Sequence, residues 1–167
     1  VHLFVYHASH DNFHCQIDAY NEQRKDLDRT ITEEAYEQAR NLPGIEDKKS
    51  VVIYNEQWHK GIIGIVASRL TEQYYRPAVV LTRAEGVATG SARSVSGFDV
   101  YAAVLSCADL LENFGGHTYA AGLSMKAENV PEFTRRFEAY VEQHILDEQT
   151  QPTIDLIGHL NFEDINY

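Results

Sequence analysis

The chain alternates between two hydrophobic rhythms. Residues 16–41, QIDAYNEQRKDLDRTITEEAYEQARN, carry Ile17, Tyr20, Leu27, Ile31 and Ala35 at intervals of three, four or seven, with charges between, as one long amphipathic helix requires. Asn41-Leu42-Pro43-Gly44 stops it, since Pro and Gly both end a helical pattern. KKSVVIYN then reads as a short buried strand, GIIGIVASRLTEQYY (61–75) as a helix closed by Pro77, AVVLTR as a second strand and GVATGSARS as a third, glycine-interrupted one. FDVYAAVLSCADLLENF reads as a helix capped by Asp99 and ended by Gly115-Gly116. AAGLSMKA is a further strand, and VPEFTRRFEAYVEQHIL a helix with Pro131 in its first turn. A polar linker, DEQTQP, precedes an alternating stretch, TIDLIGHLNFEDIN, that opens something else. Strands interleaved with helices predict an α/β or α+β sheet domain over residues 48–146, with residues 147–167 as linker and first strand of a following unit.

Composition adds class and compartment. An apolar share of 44 % fills a core, and ten Tyr among 167 residues argue against disorder. No apolar run approaches the roughly 18 residues of a membrane helix, and the start carries no signal-type stretch. The expectation is an excerpt of a longer cytoplasmic protein that meets no membrane. Cys15 and Cys107 are too isolated for a disulfide framework or zinc site and are expected to be reduced.

Charge matters through its distribution. The chain carries −11, yet residues 58–126 hold six cations (Lys60, Arg69, Arg76, Arg83, Arg93, Lys126) against five acids. An anion would therefore be held centrally by a few placed cations, not by general attraction. Arg76, beside the Pro77 turn, is expected to matter little.

Three central stretches could do the holding. In WHKGIIGIVASRL, His59 and Lys60 precede a glycine-opened helix whose first N–H groups attract anions; Trp58 stacks on a base or wedges against the core. In GSARS, alternation puts Ser91 and Arg93 on one face with Ser94 beside them, a phosphate clamp or an ordinary surface arginine at a serine turn. In ENFGGHTYAAG, His117 follows Gly115-Gly116, where a ligand could touch bare backbone; the competing reading is a helix cap followed by a core histidine. HASHDNFH spaces His7, His10 and His14 like metal ligands, but without a second cluster it reads as a solvated segment, and residues 1–15 stay unassigned. No Asp-His-His triplet, two-metal cluster or supported nucleophile motif occurs, so the sequence offers grip without an obvious cutting site.

Taken in order, WHKGIIGIVASRL, RPAVVL and GSARSVSGFDVYAAVLSCADLLENFGGHTYAAG resemble the DHHA1 domain of the RecJ-like bacterial 5′→3′ single-stranded-DNA exonucleases, of the DHH/DHHA1 phosphoesterase family. The stretch YNEQRKDL is similar to that family's linker helix (here 16–47), and IDLIGHLNFEDI to the start of its oligonucleotide-binding fold. The resemblance implies a central mixed β-sheet flanked by helices. It also implies a substrate of single-stranded DNA, and partner DHH and oligonucleotide-binding domains in the same parent chain. Two catalytic Mn²⁺ or Mg²⁺ ions would sit in the DHH domain, which is absent from this sequence. Substrate phosphates would fall to Ser91, Arg93, Ser94, Gly115, Gly116 and His117, with no catalytic or metal-binding residue here; His59 is a further candidate from its place before the helix alone. The implied roles are DNA repair and recombination, and the chain alone is expected to be inactive. Alternatives are the DHHA1 part of a small-oligonucleotide or cyclic-dinucleotide phosphodiesterase, the C-terminal module of alanyl-tRNA synthetase, and a non-catalytic interaction module.

Overall fold

A computed structural model describes the backbone of residues 2–152 and the side chains of residues 21–152. Helix α1 spans His2–Arg40, so helical backbone runs through much of the segment that sequence reasoning leaves unassigned; the side chains of His7, His10, His14 and Cys15 lie outside the described residues. The strand expected at 153–167 also lies outside them. β1 (Val51–Tyr54), α2 (Ile63–Tyr74) and β2 (Ala78–Ala84) form a β-α-β unit whose two strands pair in parallel. β3 (Val87–Arg93) follows, then α3 (Val100–Leu105), β4 (Leu111–His117), β5 (Ala120–Met125) and α4 (Val130–His144). The sheet order is β1-β2-β3-β5-β4, antiparallel from β2 outward, which makes it the mixed sheet expected.

Side-chain period decides what each element buries. Val130, Phe133, Phe137 and Val141 recur on one stripe of α4 and are buried, as helical spacing dictates. They meet Leu81, Ala92, Leu123 and Met125 on one sheet face, with α3 closing the layer. On the opposite face α1 (Ile31, Ala35, Ala39) and α2 (Val66, Ala67, Leu70) cover Val51, Ile53, Ala78 and Val80. β2 is therefore buried on both sides along its first five residues, whereas β3 alternates buried with half-open residues throughout. On the second face α1 and α2 lie over β1 and β2, and α2 also packs on β3, with β5 and β4 beyond them.

One expected element is corrected. The helix that begins after Asp99 stops at Leu105, not at Gly115-Gly116. Asp99 does cap it, accepting from the Ala102 N–H at 3.0 Å. The Ser106 hydroxyl donates to the Ala103 carbonyl at 2.7 Å, a local bond that competes with helix continuation. A short 3₁₀ turn, Ala108–Leu110, then leads into β4, which contains both glycines as strand residues.

Candidate nucleic-acid interface

From the edge of α2 over β3 out to β4, the second face is a polar shelf in cross-strand rows. Register places Arg93, Ala120 and His117 side by side across β3, β5 and β4. The next row is Ser91, Gly122 and Gly115, and the one beyond is Thr89, Ser124 and Asn113. Arg93 and His117 thus share a face and a row, two strand spacings or about 10 Å apart.

Arg93 is half-buried, and its Nη1 donates to Ser91 Oγ and to the Ala92 carbonyl, both at 2.8 Å. No carboxylate meets it among the described residues. Burial alone pushes its pKa below the ordinary guanidinium value. The other central cations are engaged: Lys60 with Glu85 at 2.8 Å, Arg69 with Asp28 at 2.8 Å, Arg83 with Glu56 at 3.4 Å and Lys126 with Glu128 at 4.0 Å. Arg76 donates to the carbonyls of Ile45 and Glu46, so it braces the turn after α1 and is engaged away from Arg93. Space for the Arg93 guanidinium comes from α2: a Cβ at Gly64 would stand 3.0 Å from Nη2 and 3.4 Å from Ser91 Oγ. Gly64 therefore serves the packing of this arginine.

The two glycines of β4 have different reasons. Gly116 pairs with Ala121 on the core side at φ +155°, and a Cβ there would fall 2.2 Å from the Ala120 carbonyl oxygen and 2.5 Å from Ala121 Cα. Its missing side chain serves the hairpin. Gly115 points to the shelf opposite Gly122, and nothing stands within 4 Å of the Cβ position of either. That space is open to a ligand. The reading of Gly115 as a helix cap, with a core histidine after it, is set aside: both residues are in an edge strand and His117 is exposed.

His117 and His59 are held alike. Nδ1 of His117 accepts the Tyr119 N–H at 3.3 Å, and Nδ1 of His59 accepts the Gly61 N–H at 3.1 Å. A neutral imidazole whose Nδ1 accepts must carry its proton on Nε2, so each ring presents a donor outward. Ser94 is differently used, its hydroxyl donating to the Phe98 carbonyl at 2.8 Å within the turn after β3. Trp58 is buried, with its indole N–H on Glu34 at 2.8 Å and its carbonyl accepting from Thr82 at 2.6 Å; it wedges against the core and is not a stacking platform.

A groove of about 460 Å³ beside Arg93 is lined by Gly61, Gly64, Ser68, Arg69, the carboxylate residue Glu72 and, from α1, Arg24. Arg24 is exposed and has no partner among the described residues, and sequence reasoning missed it. It is spaced by four and eight from Asp28 and Thr32, which bond Arg69, so the helical repeat puts it on the α2-facing side. Only the fold shows what that side meets. A second groove of about 450 Å³ lies at the far end of the shelf, between Lys60, Thr89, Asn113 and Ser124. Chemically the shelf offers a guanidinium with no counter-charge among the described residues, the outward His117 imidazole N–H and exposed backbone, a donor set for anionic oxygens.

A family model described as the DHHA1 domain matches residues 47–143. The chain belongs to the DHHA1 domain family. This DHHA1 domain is 36 % identical over 166 residues to the single-stranded-DNA-specific exonuclease RecJ of Bacillus subtilis, a match covering 94 % of this chain and 20 % of that one. RecJ from Thermus thermophilus in complex with Mg²⁺ shares its shape at a TM-score of 0.65 and 30 % identity, over 75 % of this chain and 19 % of that one. Exonuclease RecJ bound to manganese gives 0.66 and 32 %, over 75 % of this chain and 30 % of that one. The chain corresponds to the DHHA1 region of RecJ-like exonucleases and spans a small part of their length. Among its described residues no group of three His, Cys, Asp or Glu side chains could hold a metal ion. Among the described residues, too, no helix is long and apolar enough to cross a membrane.

Proposed function

We propose that this domain grips the phosphates of single-stranded DNA for a RecJ-like 5′→3′ exonuclease whose cutting site lies elsewhere in a longer chain. In this reading residues 16–47 link to an upstream DHH domain that holds two Mn²⁺ or Mg²⁺ ions, residues 48–146 form the gripping module, and residues 147–167 lead to an oligonucleotide-binding domain. The parent enzyme would act in the cytoplasm in DNA repair and recombination.

The observation that carries the proposal is Arg93. A half-buried guanidinium without a counter-charge has lost hydration that a carboxylate has not replaced, and a phosphate oxygen pair would restore it bidentately. Ser91 orients that guanidinium, and His117 donates from the same row. Gly115 leaves the backbone of the next row approachable. Arg24 and the outward ring of His59 extend the grip along the groove. Ser94 contributes by holding the turn, its hydroxyl being committed to Phe98.

The test is fluorescence anisotropy of a labelled oligothymidylate with this chain across a salt series. Two or three phosphate contacts give a log–log salt slope of about −2, each contact adding about 0.7 for single strands. Binding should be weak, because a chain of net charge −11 repels the strand at long range. Arg93→Ala should flatten the slope by about 0.7. With Mn²⁺ present the oligonucleotide should remain intact. Tight, salt-insensitive binding, or a slope that ignores Arg93, refutes the reading.

A further inference from the structure

After α4 the chain makes one 3₁₀ turn, Asp147–Thr150. Gln149 uses the two ends of its amide differently. Its Oε1 accepts from the Leu146 N–H at 2.9 Å, a local bond. Its Nε2 donates at 2.6 Å to the carbonyl of Gly97, 52 positions away in sequence. The contact is close enough that a Cβ at Gly97 would stand 2.8 Å from that nitrogen.

Gly97 lies in the turn that joins β3 to α3, immediately after Arg93. The Ser94 hydroxyl closes that turn onto Phe98 at 2.8 Å. Both of its ends then donate to the β4–β5 hairpin: Ser94 N–H to the Tyr119 carbonyl at 3.1 Å, and Val100 N–H to the Thr118 carbonyl at 3.0 Å. The Tyr119 N–H in turn donates to Nδ1 of His117. A continuous hydrogen-bonded path thus runs from Gln149 through the turn behind Arg93 to the ring of His117. Of helix α3 only its first residue, Val100, takes part.

We propose that Gln149 is a positioning residue, which holds the 94–99 turn against the 118–119 turn and so fixes the His117 ring beside Arg93, making the grip depend on how the chain leaves the domain. The coupling itself stands on geometry alone; its consequence for phosphate binding rests on the function proposed above. Gln149 touches no substrate in this scheme and acts only through the two turns.

Two variants of this chain separate its roles. Gln149→Ala removes both bonds, whereas Gln149→Glu keeps an acceptor for Leu146 and loses the donor to Gly97. Amide hydrogen exchange and ¹⁵N spectra of the His117 ring read the result. Both variants should speed exchange at Ser94 and Val100 by about five- to tenfold, as losing one hydrogen bond from a local opening unit does, with β2 amides unchanged. The His117 ring should pass from one Nε2–H tautomer to a mixture, and oligothymidylate affinity should fall by a similar factor. If Gln149→Glu behaves like the parent chain, Gln149 is only a local cap and the proposal fails. Uniform acceleration across all amides overturns it as well, since that is general destabilisation. Accelerated exchange at these two amides in a chain that binds no oligothymidylate upholds the coupling and sinks the phosphate-gripping function instead.

Discussion

One face of one sheet is built in two ways. Over β1 and β2 it is apolar and roofed by α1 and α2, and the cation at that roof, Arg69, is bonded twice to Asp28 and once to Thr32 at 2.7–2.8 Å. From β3, which α2 still overhangs at Gly64, out over β5 and β4, the same face carries Ser, Thr, Asn, two open glycines and an arginine with no opposite charge among the described residues. The roofed half explains itself: its cation has partners that stabilise the fold. The open half does not. A guanidinium that meets no carboxylate, beside a strip of bare backbone, is the feature on which the proposed phosphate grip rests.

Gly116 and Gly115 break this comparison most sharply, because they are neighbours on opposite sides of the divide. Gly116→Ala pushes a Cβ into backbone atoms at an unfavourable φ, which combines overpacking with dihedral strain and should cost about 4 kcal/mol. Gly115→Ala enters open space and should stay within about 0.5 kcal/mol of the parent. Urea titrations followed by circular dichroism measure both. Equal losses would mean that the shelf side of β4 is structural after all, and the case for a ligand at Gly115 would go with it.

The same divide governs what the sequence could reveal. α2, α4, the three strands before α3 and the Asp99 cap were legible because local period and capping chemistry determine them. β4 was not. YAAVLSCADLLENF keeps helical apolar spacing through Leu110, Leu111 and Phe114, but the strand is made by pairing with β5 and by the Asn129 side chain holding the Leu110 carbonyl at 2.9 Å. Those partners lie downstream in the chain and leave no mark within the window that reads as helix. At the site, alternation sufficed to put Ser91 with Arg93, and the bare glycines were suspicious in themselves. The isolation of Arg93 was invisible, since it depends on which carboxylates the fold sends elsewhere: Asp28 to Arg69, Glu85 to Lys60 and Glu56 to Arg83. Arg24 was missed because only the fold shows which groove its side of α1 meets.

Joining this domain to its proposed DHH partner turns the comparison into rates. Arg93→Ala and His117→Ala should each lower turnover on single-stranded DNA by about a hundredfold, because a strand held an ångström out of place loses that much. Arg135→Ala is the control: this α4 residue bonds Glu132 and lies off the shelf. Near-parent rates from folded Arg93 and His117 variants would leave the open face without a role in the reaction.

The smallest expected effect is the most diagnostic of the two halves, because it compares one arginine with another by stability alone. Removing Arg69 strands Asp28, a largely buried carboxylate that accepts two of its hydrogen bonds, and unpaired buried charge is unfavourable. Arg69→Ala should therefore destabilise the domain by about 1–2 kcal/mol, reduced from the fully buried case because the guanidinium itself is partly solvated. Arg93→Ala strands nothing: Ser91 Oγ and the Ala92 carbonyl are neutral acceptors, and the guanidinium sheds a desolvation that no counter-charge offsets. Its stability should be unchanged or higher by up to about 1 kcal/mol, against the usual sign for a half-buried residue. Thermal melts of the two variants decide it. A clear loss at Arg93 would show that the fold itself needs that charge, and the strongest reason for placing a phosphate there would be gone.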